Sequence, residues 1–285
     1  MVLEEIFLGA PGILNKLPKK SWLSGHIYPL LRGVLASRIF WRVFYLSRNA
    51  YKKQCDILFV PGGSYGDSFH PVVTMSQNLL TFESNELIGS GFSMNTLKML
   101  IWRTVRSWIF HRSEGVIFLT DYVKNAVLKV TENLRAKTAV IAHYLSQQFE
   151  FVNKMPCTIS ECSLENSFKL IYVSNVDTYK HQLPVLRAVE RLRQKGYPLR
   201  ISFIGPGLAD SITNLTRALI ELDPHKQWAR YSGQVLYEQL QGHYTKANLG
   251  IFASSCKTFG IILLEKMAMG MPIASSNLSP MSEIL

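Results

Sequence analysis

The sequence predicts an α/β protein made of two Rossmann-like halves. Apolar runs of strand length alternate with amphipathic stretches of helical period, which is the signature of parallel βαβ units. Gly and Pro punctuate the ends of those stretches. The chain has 285 residues, long for one domain and comfortable for two.

The elements follow in order. Residues 1–54 read mainly as helix and loop, and no strand is found before Asp56. CDILFV (55–60) is a strand that runs into the turn PGGSYGDS. PVVTMSQN is a further strand, and a long helix covers about 93–111. GVIFLT (115–120) is a strand, followed by the helix DYVKNAVLKV with Asp121 near its N-cap. KTAVIAH (137–143) is a strand ending at His143. Residues 146–167 are polar with little periodicity and read as an interdomain linker. The expected domains are therefore 1–150 and 164–285.

The second half is clearer. FKLIYVS (168–174) has the look of a buried strand, and a helix follows at about 182–195, closed by Gly196 and Pro198. LRISFIG (199–205) is a strand, with a helix near 208–222 after its GPG turn. WARYSG is a short strand and YEQLQGHYTKA a helix. NLGIFAS (248–254), FGIILLEKMAM (259–269) and PIASS give strand, helix and strand.

Composition narrows the function classes. Hydrophobic residues make up 47% and charged residues 18%, which supports a packed core and argues against disorder. No run of roughly 18 apolar residues occurs, so no spanning helix is expected. The N-terminus carries two acids and no basic n-region, unlike a secretory signal. The four cysteines read as reduced thiols of a cytoplasmic protein, without zinc.

The net charge of +11 is concentrated. From Ile6 to Cys55 there is no Asp or Glu, whereas Arg32, Arg38, Arg42, Arg48, Lys52 and Lys53 alternate with Leu, Ile, Phe, Trp and Tyr. Lys98 to Arg112 has the same character. Such helices suit an anionic membrane surface or acidic ligands; equally, they suit a core helix with solvated arginines. No nucleic-acid motif accompanies them, and nucleic acid is not an expected partner.

Three segments carry candidate chemistry. Gly62 and Gly63 of PGGSYGDS would let a backbone approach a ligand, although a plain turn explains them as well. In ASSCKTFGIILLEKMAMG, a strand ends in a small-residue loop and a helix starts near Phe259–Gly260. Backbone amides of Thr258, Phe259, Gly260 and Ile261 there form a candidate phosphate or diphosphate site. Glu265 is an isolated acid among apolar residues, either a diol acceptor or a surface acid beside Lys266. In YVSNVDTYKHQ, Lys180 is either a counter-charge for a phosphate or a solvated lysine. His143 could polarise a hydroxyl or sit capped at a strand end.

DILFVPGGSYGDSFHPVVTMSQNLL, YVSNVDTYKHQ, LRISFIGPG, ARYSGQVLYEQL and FASSCKTFGIILLEKMAMGMPIASSNLSPMSEIL occur in the order found in group 1, retaining glycosyltransferases with the two-domain GT-B fold. The chain resembles that family over most of residues 55–285, and the variant is similar to enzymes of bacterial surface-polysaccharide and lipopolysaccharide assembly. The resemblance implies two Rossmann-like domains facing a cleft. It further implies transfer of a sugar from a nucleotide-diphosphate sugar to a glycan or lipid-linked acceptor, without a metal or other cofactor. Lys180 and Glu265 would then be the catalytic pair, meeting the diphosphate and the ribose. Gly205, Lys257, Thr258, Phe259, Gly260 and Ile261 would bind the donor. Gly62, Gly63 and His143 would lie on the acceptor side. The location implied is cytoplasmic, with the basic helices suggesting the inner membrane face.

The sequence departs from the family pattern in places. The first acid of the family's Glu-x7-Glu motif is Lys257, and the usual Arg five residues before the lysine is Asn175. The usual Pro-(Asn/His)-Gly turn is Ala142-His143-Tyr144. Against the family, the N-terminal domain lacks its first strand and the C-terminal domain its last helices. These departures leave two alternatives, a catalytically degenerate nucleotide- or partner-binding relative and a non-enzymatic basic peripheral membrane protein.

Overall fold

A computed structural model of the chain describes residues 4–9, 11–14, 17–62, 65–66, 68–83, 94–149, 151–152 and 154–285. Two compact units are formed. The first comprises residues 1–77, 103–117 and 133–139, and the second 78–102, 118–132 and 140–285.

The chain begins with two strands the sequence did not announce. β1 (Glu5–Gly9) pairs in parallel with β2 (Leu23–Ile27), from Glu5 opposite Leu23 to Gly9 opposite Ile27. A short helix, α1 (Pro11–Leu14), lies between them. This corrects the expectation of helix and loop before Asp56. EIFLG is only five residues long, and LSGHI is interrupted by Ser, Gly and His. Neither run is strong alone, and their stability comes from the ladder between them.

α2 (Leu35–Phe44) and α3 (Leu46–Lys52) follow. The next sheet has the order β3-β4-β5-β6, with β3 (Leu58–Pro61), β4 (Val72–Met75), β5 (Gly115–Phe118) and β6 (Lys137–Val140). β3, β4 and β5 pair in parallel. The long helix α4 (Met94–Arg112) precedes β5, and α5 (Asp121–Thr131) follows it. The core of the first unit gathers Leu31, Trp41, Leu46, Ala50, Phe69, Val72 and Ile109. α5 is capped by Thr120, whose hydroxyl accepts the Val123 amide at 3.2 Å, and not by Asp121. The Glu283 carboxylate also accepts the Asp121 and Tyr122 amides at 2.8 and 3.0 Å.

The second unit holds a five-stranded parallel sheet. Its strands are β7 (Phe168–Val173), β8 (Leu199–Ile204), β9 (Ala229–Tyr231), β10 (Leu249–Phe252) and β11 (Ile273–Ser275). Their order is β11-β10-β7-β8-β9. α6 (Gln182–Gln194), α7 (Ala209–Leu222), α8 (Leu240–Lys246), α9 (Ile261–Ala268) and α10 (Met281–Ile284) complete it. Alternate residues of β7 feed two cores. Leu170 and Tyr172 pack with Leu186, Phe203 and Leu215, whereas Ile171 and Val173 pack with Phe149, Leu240 and Tyr244. A sheet covered on both faces is what a run as apolar as FKLIYV requires.

The polar stretch 146–167 is tied to this unit. Phe149 is buried in its core, and the Lys154 ammonium donates to the Thr245 carbonyl at 2.8 Å. The four cysteines are free thiols.

Candidate functional site

β8 and β9 lie to one side of β7, and β10 and β11 to the other. The strand order therefore reverses between β7 and β10. In open parallel sheets the crevice at the carboxyl ends of such a strand pair is where ligands bind. The loops that leave β7 and β10 carry Lys180 and the Ser254–Gly260 segment.

Lys180 ends a short 3-10 turn, Thr178–Lys180, begun by Asp177, whose carboxylate accepts the Thr178 amide at 2.7 Å. Its side chain is 2% exposed, which removes the solvated-lysine alternative. The ammonium donates to Ser254 Oγ at 2.7 Å and to the Cys256 carbonyl at 3.2 Å, and lies 4.4 Å from the Tyr179 ring centre. Lys180 thus joins the two loops that flank the reversal. Tyr172 joins them again: its hydroxyl donates to the Lys180 carbonyl and accepts the Ala253 amide at 3.1 Å. Gln182 donates to Ser174 Oγ at 3.0 Å and to the Asn175 carbonyl at 2.9 Å, fixing the end of β7. Tyr172 and Gln182 open and close the segment YVSNVDTYKHQ, in which the sequence pointed to Lys180 as the site residue and not to either of them.

Gly205 sits at the end of β8 with φ +139. A Cβ there would collide with the Ser174 carbonyl, so only glycine fits. Its amide donates to the Gly233 carbonyl at 2.8 Å, and its own carbonyl accepts the Tyr231 hydroxyl at 2.8 Å.

α9 starts at Ile261, with Gly260 as N-cap, two residues later than the sequence suggests. Thr258 and Phe259 are buried in the turn that leads into it. Lys257 is half-buried. Burial pulls its ammonium below the ordinary lysine range, against the opposing pull of Cys256 and Glu265. His143 lies in the loop beyond β6, three residues past the strand that was expected to end on it. Its ring stands edge-on to Phe259 at 5.4 Å. Burial first, and the Lys257 charge second, hold the imidazole below its ordinary pKa.

Glu265 is 2% exposed, so it is not the surface acid of the alternative reading. Oε1 accepts the Tyr237 hydroxyl at 3.1 Å and Oε2 the Tyr244 hydroxyl at 2.9 Å. Burial pushes its carboxyl up, while the two tyrosines, Lys266 and Lys257 pull it down. Tyr237 and Tyr244 are the partners that sequence reasoning missed. Tyr244 lies on α8 and Tyr237 on the 3-10 turn just before it, and both reach Glu265 only through the way these elements meet α9. Lys266 is fully buried beside Glu265 and donates to the Ile251 carbonyl at 2.9 Å.

Lys180, Gly205, Lys257–Ile261, Glu265 and His143 all belong to the second unit. Gly62, at φ +100, belongs to the first, and Gly63 lies outside the described residues. Among the described residues no cluster of His, Cys, Asp or Glu could hold a metal ion, and no helix is long and apolar enough to cross a membrane.

The fold is the Rossmann-like α/β architecture of GT-B glycosyltransferases. Anabaena HepE, solved with UDP and glucose, superposes with a TM-score of 0.61 at 15% identity, covering 92% of this chain and 69% of that one. Sucrose-phosphate synthase from Thermosynechococcus elongatus gives a TM-score of 0.68 at 13% identity, covering 92% and 67%. The family model "Glycosyl transferases group 1" matches residues 167–285. The O-antigen chain mannosyltransferase B of Escherichia coli is 27% identical over 118 residues. That stretch is 40% of this chain and 30% of that protein.

Proposed function

We propose that the protein is a retaining glycosyltransferase. It moves a sugar from a nucleoside-diphosphate sugar to a glycan or lipid-linked acceptor of surface-polysaccharide assembly. The observation that carries this reading is that a cation and an acid, Lys180 and Glu265, are both buried on segments that follow β7 and β10, the strands at the order reversal. HepE solved with UDP and glucose, and a relative named for O-antigen chains, agree with the substrate classes.

In this reading the diphosphate rests against the Thr258–Ile261 turn. Lys180 holds that turn through Ser254 and Cys256 and adds positive potential where charge grows on the leaving diphosphate. Lys257 adds a second cation, so the reading calls for no metal. Glu265 takes the ribose, and Gly205 lets the nucleoside approach the backbone. The neutral imidazole of His143 can accept a hydrogen bond from a sugar hydroxyl.

Lys257 favours one further reading, a relative that binds nucleotide without turnover, because it stands where the family carries an acid. The exposed basic face of α2 supports residence on an anionic cytoplasmic membrane surface.

Thermal-shift titration with UDP, GDP and ADP and their sugars, followed by transfer assays, tests the proposal. One nucleotide is expected to raise the melting temperature, and its sugar to be turned over. Binding without turnover, together with turnover gained in Lys257→Glu, would replace it with the degenerate reading. Undiminished transfer in both Lys180→Ala and Glu265→Ala would overturn the site assignment.

A further inference from the structure

Both oxygens of Glu265 are already engaged by side chains of the protein, and the two partners differ in kind. Tyr244 has no exposed surface and sits in the core with its ring 5.9 Å from Phe149. It cannot leave Oε2 without opening that core. Tyr237 lies on a 3-10 turn, Tyr237–Gln239, and is 42% exposed. Its hydroxyl is shared between Glu265 Oε1 and the Ser146 side chain. Its ring meets Phe149 edge-on at 5.6 Å. Ser146 and Phe149 both line an open pocket of about 510 Å³. Tyr237 therefore has one contact on the acid and others on Ser146 and Phe149, and part of the residue is open to solvent.

We infer that Tyr237 is a displaceable competitor for the acid: its hydroxyl occupies the place of a ligand hydroxyl on Glu265 Oε1 and yields it to a vicinal diol. This rests on the reading of Glu265 as the ribose acceptor. Tyr244 acts as the positioning residue, holding Oε2 so that Oε1 keeps its direction when Tyr237 leaves. A ribose that presents two hydroxyls replaces the one bond lost with two, while a ligand with one hydroxyl or none gains little by displacing the tyrosine. The tyrosine thereby weakens ribonucleotide binding by about one hydrogen bond and leaves a dideoxynucleotide unaffected.

The test is calorimetric binding of UDP, GDP and ADP, then of the 2′,3′-dideoxy form of whichever binds, to the wild type and to Tyr237→Phe. Removing the competing hydroxyl should tighten the ribonucleotide about 2- to 10-fold, the equivalent of one hydrogen bond. The dideoxy form should gain nothing, so the ribose preference widens in the variant. Tyr244→Phe should instead weaken the ribonucleotide. If Tyr237→Phe weakens the ribo and dideoxy forms alike, Tyr237 holds the ligand directly and the inference is overturned. If the wild type binds a ribonucleotide and the variant binds it equally well, the inference alone falls. If no nucleoside diphosphate binds either protein, the reading of the site falls with it.

Discussion

α2 and α9 invert the usual division between surface and core, in opposite directions. α2, in the first unit, buries Trp41 and leaves Ile39, Phe40 and Phe44 exposed beside Arg38 and Arg42. The rings of Phe40 and Phe44 meet at 4.9 Å, so the face is a patch and not scattered single residues. α9, in the second unit, does the reverse. Glu265 and Lys266 are buried and Met267 is 42% exposed. Buried charges require partners, and each has them: two phenols for the acid and a carbonyl for the ammonium. Exposed apolar patches require a reason of another kind, a surface still to be met. Stability should therefore depend on α9, and association on α2.

The largest expected effect is on turnover. Glu265→Ala strips two tyrosine hydroxyls of their acceptor and the proposed ribose of its own. Transfer should fall about 100-fold or more, since hydrogen bonds to a charged group contribute roughly 1.5–3 kcal/mol each. A loss below tenfold in kcat/KM would remove Glu265 from the site.

Lys266 sharpens the same contrast through pH. Burial pulls its pKa down to about 7, from an ordinary lysine value near 10.4. Between those values the unfolded chain binds more protons than the folded one, so stability rises with pH across that window. Below about pH 7 the full cost of burying the cation is present. Lys266→Met should raise stability by about 1–3 kcal/mol at pH 6 and flatten the rise between pH 7 and 10. Denaturant titrations at several pH values check this; an unchanged slope with pH would place the proton elsewhere.

Gly250 tests how tightly that lysine is packed. A Cβ on Gly250 would lie 2.6 Å from Lys266 Cδ. Gly250→Ala should cost about 1–3 kcal/mol by overpacking. Lys266→Ala in the same chain should recover part of that loss, which a double-mutant cycle measures.

The smallest effect on stability belongs to α2. Phe40→Ser with Phe44→Ser should shift unfolding by no more than about 0.5 kcal/mol per site. Sedimentation with vesicles rich in anionic lipid at low salt should nevertheless be lost. Equal pelleting of wild type and variant would show that this face is not the docking surface.

How much of this was readable varied with how local the cause was. The strands and helices of the second unit follow from runs such as FKLIYV and LRISFI, bounded by Gly and Pro. β1 and β2 were missed because each is weak until the other pairs with it. The site was legible as residues and not as a constellation. Lys180 and Glu265 stand out as charges in apolar or loop settings, but the same settings allow a solvated lysine and a surface acid. Tyr172 and Gln182 lie in YVSNVDTYKHQ and Tyr237 in ARYSGQVLYEQL, but nothing in those segments, or around Tyr244, marks them as partners of the site.

The sequence by itself determined the α/β class and the parallel sheet of the second unit. It also determined the basic, acid-free stretch before Cys55 and the glycines that end β8 and start α9. These are properties of short segments, set by periodicity, charge and allowed backbone angles. The tertiary structure alone decided that Lys180 bridges the loops after β7 and β10, and that Glu265 is buried with a tyrosine on each oxygen. It also decided that α2 turns phenylalanines outward. The physical reason is that burial and hydrogen-bond partnership depend on residues distant in the chain. The same lysine or glutamate is solvated or buried according to what packs over it.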